Sequence, residues 1–531
     1  MPVAPGPALC YEFLAMPSYA ITTFGCQMNV HDSERMHEVL RRAGYLEVPA
    51  AEADIIVLNT CSVREKAEQK LLSEVGRLAK QKRARRELIV VVAGCVAQQE
   101  GERLLKQARS IDLVIGPDNI AELPRLLDEL VLGSPPLVRT VFDTDAPRFL
   151  TALEVVGASP TAFVTIMKGC DERCSFCIVP HTRGPERYRP SGEIIAEIAA
   201  LTAASVREVT LLGQTVNSYR DPTRALSPAP GHAGGHPQTP GASTDDPDES
   251  EFAALLRRIA AEVPALARLR YTSPHPRHLT PSLILAHAEV PVLARHVHMP
   301  VQSGSDRVLK RMIRRYSRAE YVERVGALVR TVPGVTLSTD IIVGFPGETE
   351  EDFAATLSLV EEVGFKGLFG FKYSERPYTP ARKFGDDIPE AVKSERLARL
   401  FALSEALLGE HLARLAGTTA QVLVEGLDKG DGLLWSGRTE RNEIVHIAGA
   451  ADRQLAGEVV EVSIVRHNKH SLQGELTAGA RAATTPRAPL HKTGPVASHS
   501  ETPGRRSLPV LAGGLAGGLA GGIAGGLARG A

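Results

Sequence analysis

The chain has 531 residues and a formal net charge of −1, so it is long enough for several domains, and any basic face for a polyanion must be local and not global. A hydrophobic fraction of 43% permits a large core, and seven cysteines are too few for a disulfide scaffold and fit reduced, metal-binding thiols in a cytosolic protein. The N-terminus lacks a charged n-region followed by a long apolar stretch, and no apolar run reaches about 18 residues, so neither a signal peptide nor a membrane span is expected.

From Tyr19 short apolar runs alternate with helical segments. Tyr19–Phe24 reads as a strand and His31–Ala43 as a helix. Asp54–Leu58 is a second strand with a helix from about Arg64, Glu87–Val92 a third with a helix from Glu100, and Asp112–Ile115 a fourth. This alternation predicts an α/β domain, a doubly wound parallel sheet over residues 18–137. A second series of βα steps has strands at Ala162–Met167, Glu208–Leu212, Leu269–Thr272, His296–Met299, Thr336–Val343 and Gly367–Tyr373. Among its helices, Glu251–Ala261 carries Phe252, Leu255, Leu256 and Ile259 on one face. Six such steps predict a partial (β/α)6 barrel over 156–410, with its site at the C-terminal ends of the strands.

The Pro-, Gly-, His- and Asp-rich stretch 221–250 reads as a disordered insertion, and its His232 and His236 as exposed loop histidines. From Thr418 the pattern turns all-β, with strands at Gln421–Glu425, Glu443–Ile447 and Val459–Val465, which predicts a small all-β barrel over 411–477. Residues 478–531 are low in complexity and end in a four-residue Gly repeat. The repeat resembles a membrane helix-packing pattern, but half of it is Gly, a poor helix former, so a disordered tail is expected.

Six cysteines fall into two sets, and Cys10 is left over. Cys170, Cys174 and Cys177 form C-x3-C-x2-C just after the first strand of the second series, with Phe176 before the last thiol. Three thiolates this close can hold an iron–sulfur cube through three irons and leave the fourth open for chemistry. The competing reading, structural zinc, would need His181 as a fourth ligand at an unusual offset. Cys26, Cys61 and Cys95 are far apart in sequence, yet each follows a predicted strand. Loops after parallel strands converge on one side of a sheet, so these thiols are expected to meet and hold a second cluster. The alternative is three unrelated buried thiols.

KGCDERCSFCIVPHTRG resembles the cluster loop of the radical S-adenosylmethionine (SAM) superfamily. FGCQMNVHDSE, NTCSVREKAEQK and AGCVAQQEGE are similar to the N-terminal domain of its methylthiotransferases, and the terminal barrel resembles an RNA-binding TRAM domain. The resemblance covers about residues 18–477. It implies two 4Fe-4S clusters and S-adenosylmethionine as cofactors, and a catalytic centre at Cys170, Cys174 and Cys177 where the open iron chelates SAM and an electron cleaves it to methionine and a 5′-deoxyadenosyl radical. Ser62–Glu65 and Gln214–Tyr219 are similar to the branch that methylthiolates carbon 2 of N(6)-isopentenyladenosine at position 37 of tRNA, next to the anticodon. Thr215 stands where Asn is expected.

The same resemblance implies further cofactor contacts: Phe176, Gly213 and Gln214 near SAM, Gln302 and Ser303 in the loop Met299–Gly304, and Asp340 and Gly344 around the adenine. For the Met299–Gly304 loop a plain cap is the alternative. Lys80–Arg86, with Lys80, Lys82, Arg83, Arg85 and Arg86, and Arg307–Arg318, with Arg307, Lys310, Arg311, Arg314, Arg315 and Arg318, are candidate RNA contacts or solvated helix faces. In the barrel, Arg438, Arg441, Arg453, Arg466, His467 and Lys469 are candidates for phosphates. The implied partners are the tRNA anticodon stem-loop and an electron donor such as flavodoxin or ferredoxin, with a monomeric, cytoplasmic enzyme and no membrane contact. The rivals are the same chemistry on a ribosomal-protein aspartate or on threonylcarbamoyl-adenosine, and a non-enzymatic iron–sulfur RNA-binding sensor. Met16 is an alternative start.

Overall fold

The computed structural model describes residues 17–62, 65–145, 147–151, 159–224, 250–428 and 434–486. Most of the 221–250 insertion, with His232 and His236, lies outside these residues, as do Cys10 and the chain after Pro486.

The first domain is a six-stranded parallel sheet: β1 Ser18–Phe24, β2 Leu46–Glu47, β3 Ile55–Thr60, β4 Ile89–Gly94, β5 Leu113–Ile115 and β6 Leu137–Arg139. Its order, β2-β1-β3-β4-β5-β6, reverses direction between β1 and β3, as a doubly wound sheet does. All six residues of β3 are buried, and two separate apolar cores cover the two faces. That is the signature of central parallel strands covered on both sides. The first helix spans Gln27–Arg42 and so starts earlier than the apolar period suggests, because Asn29 Oδ1 accepts from the Cys26 amide at 3.4 Å. The third starts at Cys95, not at Glu100, and breaks at Gly101.

The second domain holds two three-stranded parallel sheets. One joins Thr161–Thr165, Glu208–Leu212 and Arg268–Tyr271; the other joins His296–His298, Thr336–Val343 and Gly367–Lys372. A parallel bridge between Leu269 and Leu293 connects them, and one apolar core runs through both, giving the expected partial barrel. The first strand stops at Thr165, because Met167–Lys168 pair antiparallel with Arg187–Tyr188 and form the neck of the cluster loop. Helix Glu390–Ala413 has no counterpart in the strand reading. Its Leu400 packs in the core of this domain and its Leu412 in the core of the next.

The last domain is a closed five-stranded barrel. Trp435–Thr439 and Leu472–Leu476 escape the sequence pattern because each contains a glycine. A Cβ at Gly437 would lie 2.3 Å from the Leu423 carbonyl, and one at Gly474 would lie 2.5 Å from Val462. Order also outlasts the expected end at residue 477. Ala478–Ala483 is a short helix held by Arg481 on Asp452, and Arg453 reaches the Thr484 carbonyl at 2.9 Å.

Candidate active site: two cysteine centres

Phe24, Thr60 and Gly94 stand side by side in the register of β1, β3 and β4. Cys61 and Cys95 therefore follow neighbouring strand ends directly, Cys26 follows one residue later, and all three lie at the reversal of strand order. The Cys61 amide donates to the Phe24 carbonyl at 2.9 Å. A buried amide lattice backs the loops: Asn29 Nδ2 donates to Asn59 Oδ1 at 3.2 Å, and Asn59 Nδ2 donates to the Asn29 carbonyl at 2.8 Å and to Ser33 Oγ at 2.9 Å. A hydrogen bond with Cys61 draws the Cys26 thiol down to about 6 against the effect of burial, while burial pushes Cys95 up. All three are free thiols. Two thiols in hydrogen-bond contact and a third within electrostatic reach, one of them already inclined to ionise, fit the wider spacing of an iron–sulfur cube.

The second centre is built on the Gly169–Pro185 loop. Gly169 has φ +81°, and a Cβ there would overlap the Pro185 carbonyl, so only glycine closes the neck. Beyond it Cys170 N donates to the Gly184 carbonyl and Cys177 N to the Cys174 carbonyl, each at 3.1 Å. Burial raises the Cys170 thiol to about 11 and the Cys177 thiol to about 12. At Cys177 the Arg314 guanidinium opposes that penalty, and its Nη1 donates to Cys174 Sγ at 3.3 Å. Thr215 Oγ1 lies 3.0 Å from Cys170 Sγ, which gives the Asn-to-Thr departure a direct place at the centre. His181 leans on Tyr378 with ring centroids 5.7 Å apart, and among the described residues it joins no set of three ligand atoms within 4.8 Å of one another, so the zinc alternative lacks its fourth ligand. Inside the loop, buried Glu172 meets His278 Nε2 at 2.8 Å, and buried His275, depressed by desolvation and by Arg314, lies 3.9 Å from the same carboxylate.

The remaining expected SAM contacts divide. Gln214 is well placed: its Oε1 accepts from the Gly169 amide, while its buried Nε2 has no protein partner. That unsatisfied donor fits a bound anion or carbonyl beside the cluster loop. Gly213 leaves room for Met167, where a Cβ would come within 2.5 Å of Cγ. Phe176 packs on Val308, Met312, Phe345 and Tyr373 beneath the loop. Gln302 is forced to φ +75°, and its backbone pairs with Asp340 and Ile342. The Asp340 carboxylate lies 3.3 Å from His298 Nε2. Ser303, however, is fully buried and its hydroxyl accepts from the Ser305 amide at 3.2 Å, which is the cap arrangement. Gly344 sits where a Cβ would strike Lys393 at 2.4 Å, so packing accounts for it.

Among the described residues, three ion-pair sets carry the first domain on the second. Asp32 holds Arg183, Asp118 takes Lys168 at 3.1 Å together with Arg187, and Glu68 faces Arg376 at 3.8 Å. Arg183, which reaches Asp32 and the Cys95 thiol across the domain boundary, is a site neighbour that the sequence reading missed. Only its position near the end of the cluster loop signalled it.

The surroundings of the basic segments show which cations have protein partners. Lys82 pairs with Asp112, and Arg85 with Asp54 at 3.0 Å, residues that precede β5 and β3. The segment Lys80–Arg86 therefore lies at the end of the sheet opposite the cysteines. In Arg307–Arg318, Arg307 is taken by Asp352, Arg311 stacks on Phe384 at 4.2 Å, Arg314 is buried on Cys174, and Arg318 pairs with Glu362 at 2.6 Å. Lys310 and Arg315 are exposed near the loop. In the barrel, Arg438 holds Glu425 at 3.0 Å, Arg453 holds the Thr484 carbonyl, and the half-buried Arg441 uses its carbonyl to accept from Lys366. Arg466, bonded to Gln473 at 2.8 Å, His467, and Lys469, paired with Glu405 at 2.9 Å, are exposed.

Comparison with known proteins agrees with this division. Residues 18–116 match the uncharacterized protein family UPF0004, residues 164–360 the radical SAM superfamily, and residues 413–477 the TRAM domain. The chain is 72% identical over 511 residues, 94% of its length and 99% of the other, to the tRNA-2-methylthio-N(6)-dimethylallyladenosine synthase of Sorangium cellulosum (strain So ce56). It is 47% identical over 457 residues, 86% of its length and 97% of the other, to the protein of the same name from Geobacter metallireducens. Among solved structures, the radical S-adenosylmethionine methyltransferase TsrM from Kitasatospora setae aligns with TM-score 0.47 at 16% identity over 69% of this chain and 77% of that one.

Proposed function

The chain belongs to the family of tRNA-2-methylthio-N(6)-dimethylallyladenosine synthases, and on that premise we propose which of its residues perform each part of the reaction. It is a radical SAM enzyme that methylthiolates carbon 2 of N(6)-isopentenyladenosine in tRNA, with two 4Fe-4S clusters and S-adenosylmethionine as cofactors. In our reading Cys170, Cys174 and Cys177 hold one cluster, and Cys26, Cys61 and Cys95 the other. When bound, the first supplies reductive cleavage of SAM, and the second carries the sulfur to be methylated and transferred.

The chain's own residues orient and enclose this chemistry. Gln214 fixes the Gly169 amide through Oε1 and offers Nε2 to SAM. Phe176 and the apolar group beneath it keep water from the loop. Arg314 places a permanent positive charge on Cys174. The target base is taken to be position 37, unstacked beside the anticodon, where a single-stranded loop exposes the carbon-2 edge. Outward cations such as Lys310 and Arg315 then meet phosphates near the site. The reading extends to a one-electron donor of the flavodoxin or ferredoxin type and to a monomer working in the cytoplasm. No helix among the described residues is long and apolar enough to cross a membrane.

The observation that carries the proposal is the placement of both triads at strand C-terminal ends, with Arg183 from the loop of one reaching the other. It is tested by splitting the activities. Replacing Cys170, Cys174 and Cys177 by Ala should abolish 5′-deoxyadenosine formation. Replacing Cys26, Cys61 and Cys95 should spare some SAM cleavage and abolish methylthiolation. Equal cleavage by both variants would overturn the assignment.

A further inference from the structure

Each cysteine triad has one buried guanidinium against it. Arg314 donates from Nη1 to Cys174 Sγ at 3.3 Å and from Nη2 to the Pro300 carbonyl at 2.9 Å. Arg183 ends the helix Val179–Arg183, which leaves the other side of the same loop just after Cys177. That helix packs on Cys95–Glu100 of the first domain. Arg183 crosses the domain boundary, donates from Nη2 to Asp32 Oδ2 at 2.5 Å and from Nη1 to Oδ1 at 3.3 Å, and faces the Cys95 and Cys26 sulfurs. The two side chains are only 6% and 9% exposed.

So dry a pair adds little stability over an apolar pair of the same size, because desolvation offsets most of the attraction. Its charges act instead on what lies beside them. A cation near thiolate sulfurs favours the state with one more electron, and hydrogen bonds to cluster sulfurs and local net charge tune iron–sulfur potentials. Asp32 opposes this by neutralising part of the Arg183 charge.

We propose that Arg183, balanced by Asp32, is the positioning residue that raises the reduction potential of the group held by Cys26, Cys61 and Cys95, and that Arg314 does the same for the group held by Cys170, Cys174 and Cys177. This rests on the reading of both triads as cluster ligands. Each centre thus has its own charge partner, and Arg183 ties the domain that holds the sulfur-carrying centre to the loop that cleaves SAM.

The test uses full-length protein, reconstituted anaerobically, with one triad removed at a time and the remaining cluster titrated with dithionite and followed by EPR. With Cys170, Cys174 and Cys177 changed to Ala, Arg183→Met should move the midpoint potential negative and Asp32→Asn should move it positive. Arg183→Lys should stay near the parent. With Cys26, Cys61 and Cys95 changed to Ala, Arg314→Met should move the remaining potential negative and Arg183→Met should leave it in place. A merely structural pair would give shifts of one sign, or none, from Arg183→Met and Asp32→Asn, and that result overturns the proposal. If Arg183→Met fails to hold iron, Asp32→Asn decides alone: a positive shift supports the proposal, and no shift or a negative one ends it. Absence of iron in the parent backgrounds would instead refute the cluster assignment.

Discussion

Arg268 donates to the carbonyl of Arg438 at 3.1 Å while its other partner, Glu208, lies 3.2 Å away, and this sets the C-terminal barrel against the N-terminal ends of the second domain's strands. Arg270 repeats the arrangement at the Thr439 and Glu440 carbonyls, and Lys366 at that of Arg441. The cysteines lie at the opposite ends of those strands. The turn around Arg438–Arg441 is thus taken up by docking, and a barrel contact with tRNA has to use the outward side.

The first prediction concerns that outward side. Arg466→Glu with Lys469→Glu should weaken tRNA binding, and the slope of log affinity against log salt should fall by about 0.7–0.9 for each phosphate that is no longer neutralised. Fluorescence anisotropy with a labelled tRNA over a salt series measures both. Unchanged affinity and slope would make the barrel a cap on the second domain.

A second prediction follows from Glu443 at the docking face. Burial pushes its carboxyl up, but the His411 ring at 2.9 Å, the Lys366 ammonium at 3.5 Å and the Thr439 hydroxyl outweigh it and hold the pKa to about 2. A carboxyl depressed on folding stabilises above its unfolded value, here 4.5, and that contribution is lost as pH falls toward about 2. Glu443→Gln should lower Tm at pH 6, and the gap to the parent protein should narrow steadily below pH 4.5. A gap independent of pH would show that the carboxylate charge does not hold the barrel.

Iron content gives the third. With Cys170, Cys174 and Cys177 replaced by Ala, about four irons per chain should remain after anaerobic reconstitution, the content of a single cube. Zinc in place of iron, or no residual metal, would contradict two separable clusters.

Much of this was legible from the residues. The two cysteine sets, the strand that precedes each thiol and the order of three domains follow from spacing and alternation. The partners of the thiols were not. Arg314 reads as one cation in a basic run, and only its turn back into the core at Tyr316 and Pro300 separates it from exposed Arg315. Arg183 and Asp32 are 151 positions apart, and no local pattern links them. Ser303 and Gly344 look like ligand positions because polar and glycine residues serve both caps and sites, and the contacts with Thr356 and Lys393 are not visible in the sequence. Strands carrying glycine, such as Trp435–Thr439, stay hidden for the same reason.

Gln214 provides the fourth prediction. Its Nε2 is a buried donor without a protein partner beside the cluster loop. Gln214→Leu should weaken SAM binding roughly tenfold, the loss of about 1.4 kcal/mol that one hydrogen bond to a charged group contributes. Equilibrium dialysis against SAM on the reconstituted protein reads it. Full affinity would place SAM elsewhere.

The most direct measurement is nucleoside mass spectrometry of tRNA from a bacterial strain that lacks its own methylthiotransferase for isopentenyladenosine and expresses this chain. The account predicts that N(6)-isopentenyladenosine is replaced by its 2-methylthio derivative, and that the strain carrying the Cys26, Cys61 and Cys95 variant retains the unmodified form. Persistence of N(6)-isopentenyladenosine with the intact, cluster-loaded chain, or methylthiolation of threonylcarbamoyl-adenosine in its place, would contradict it.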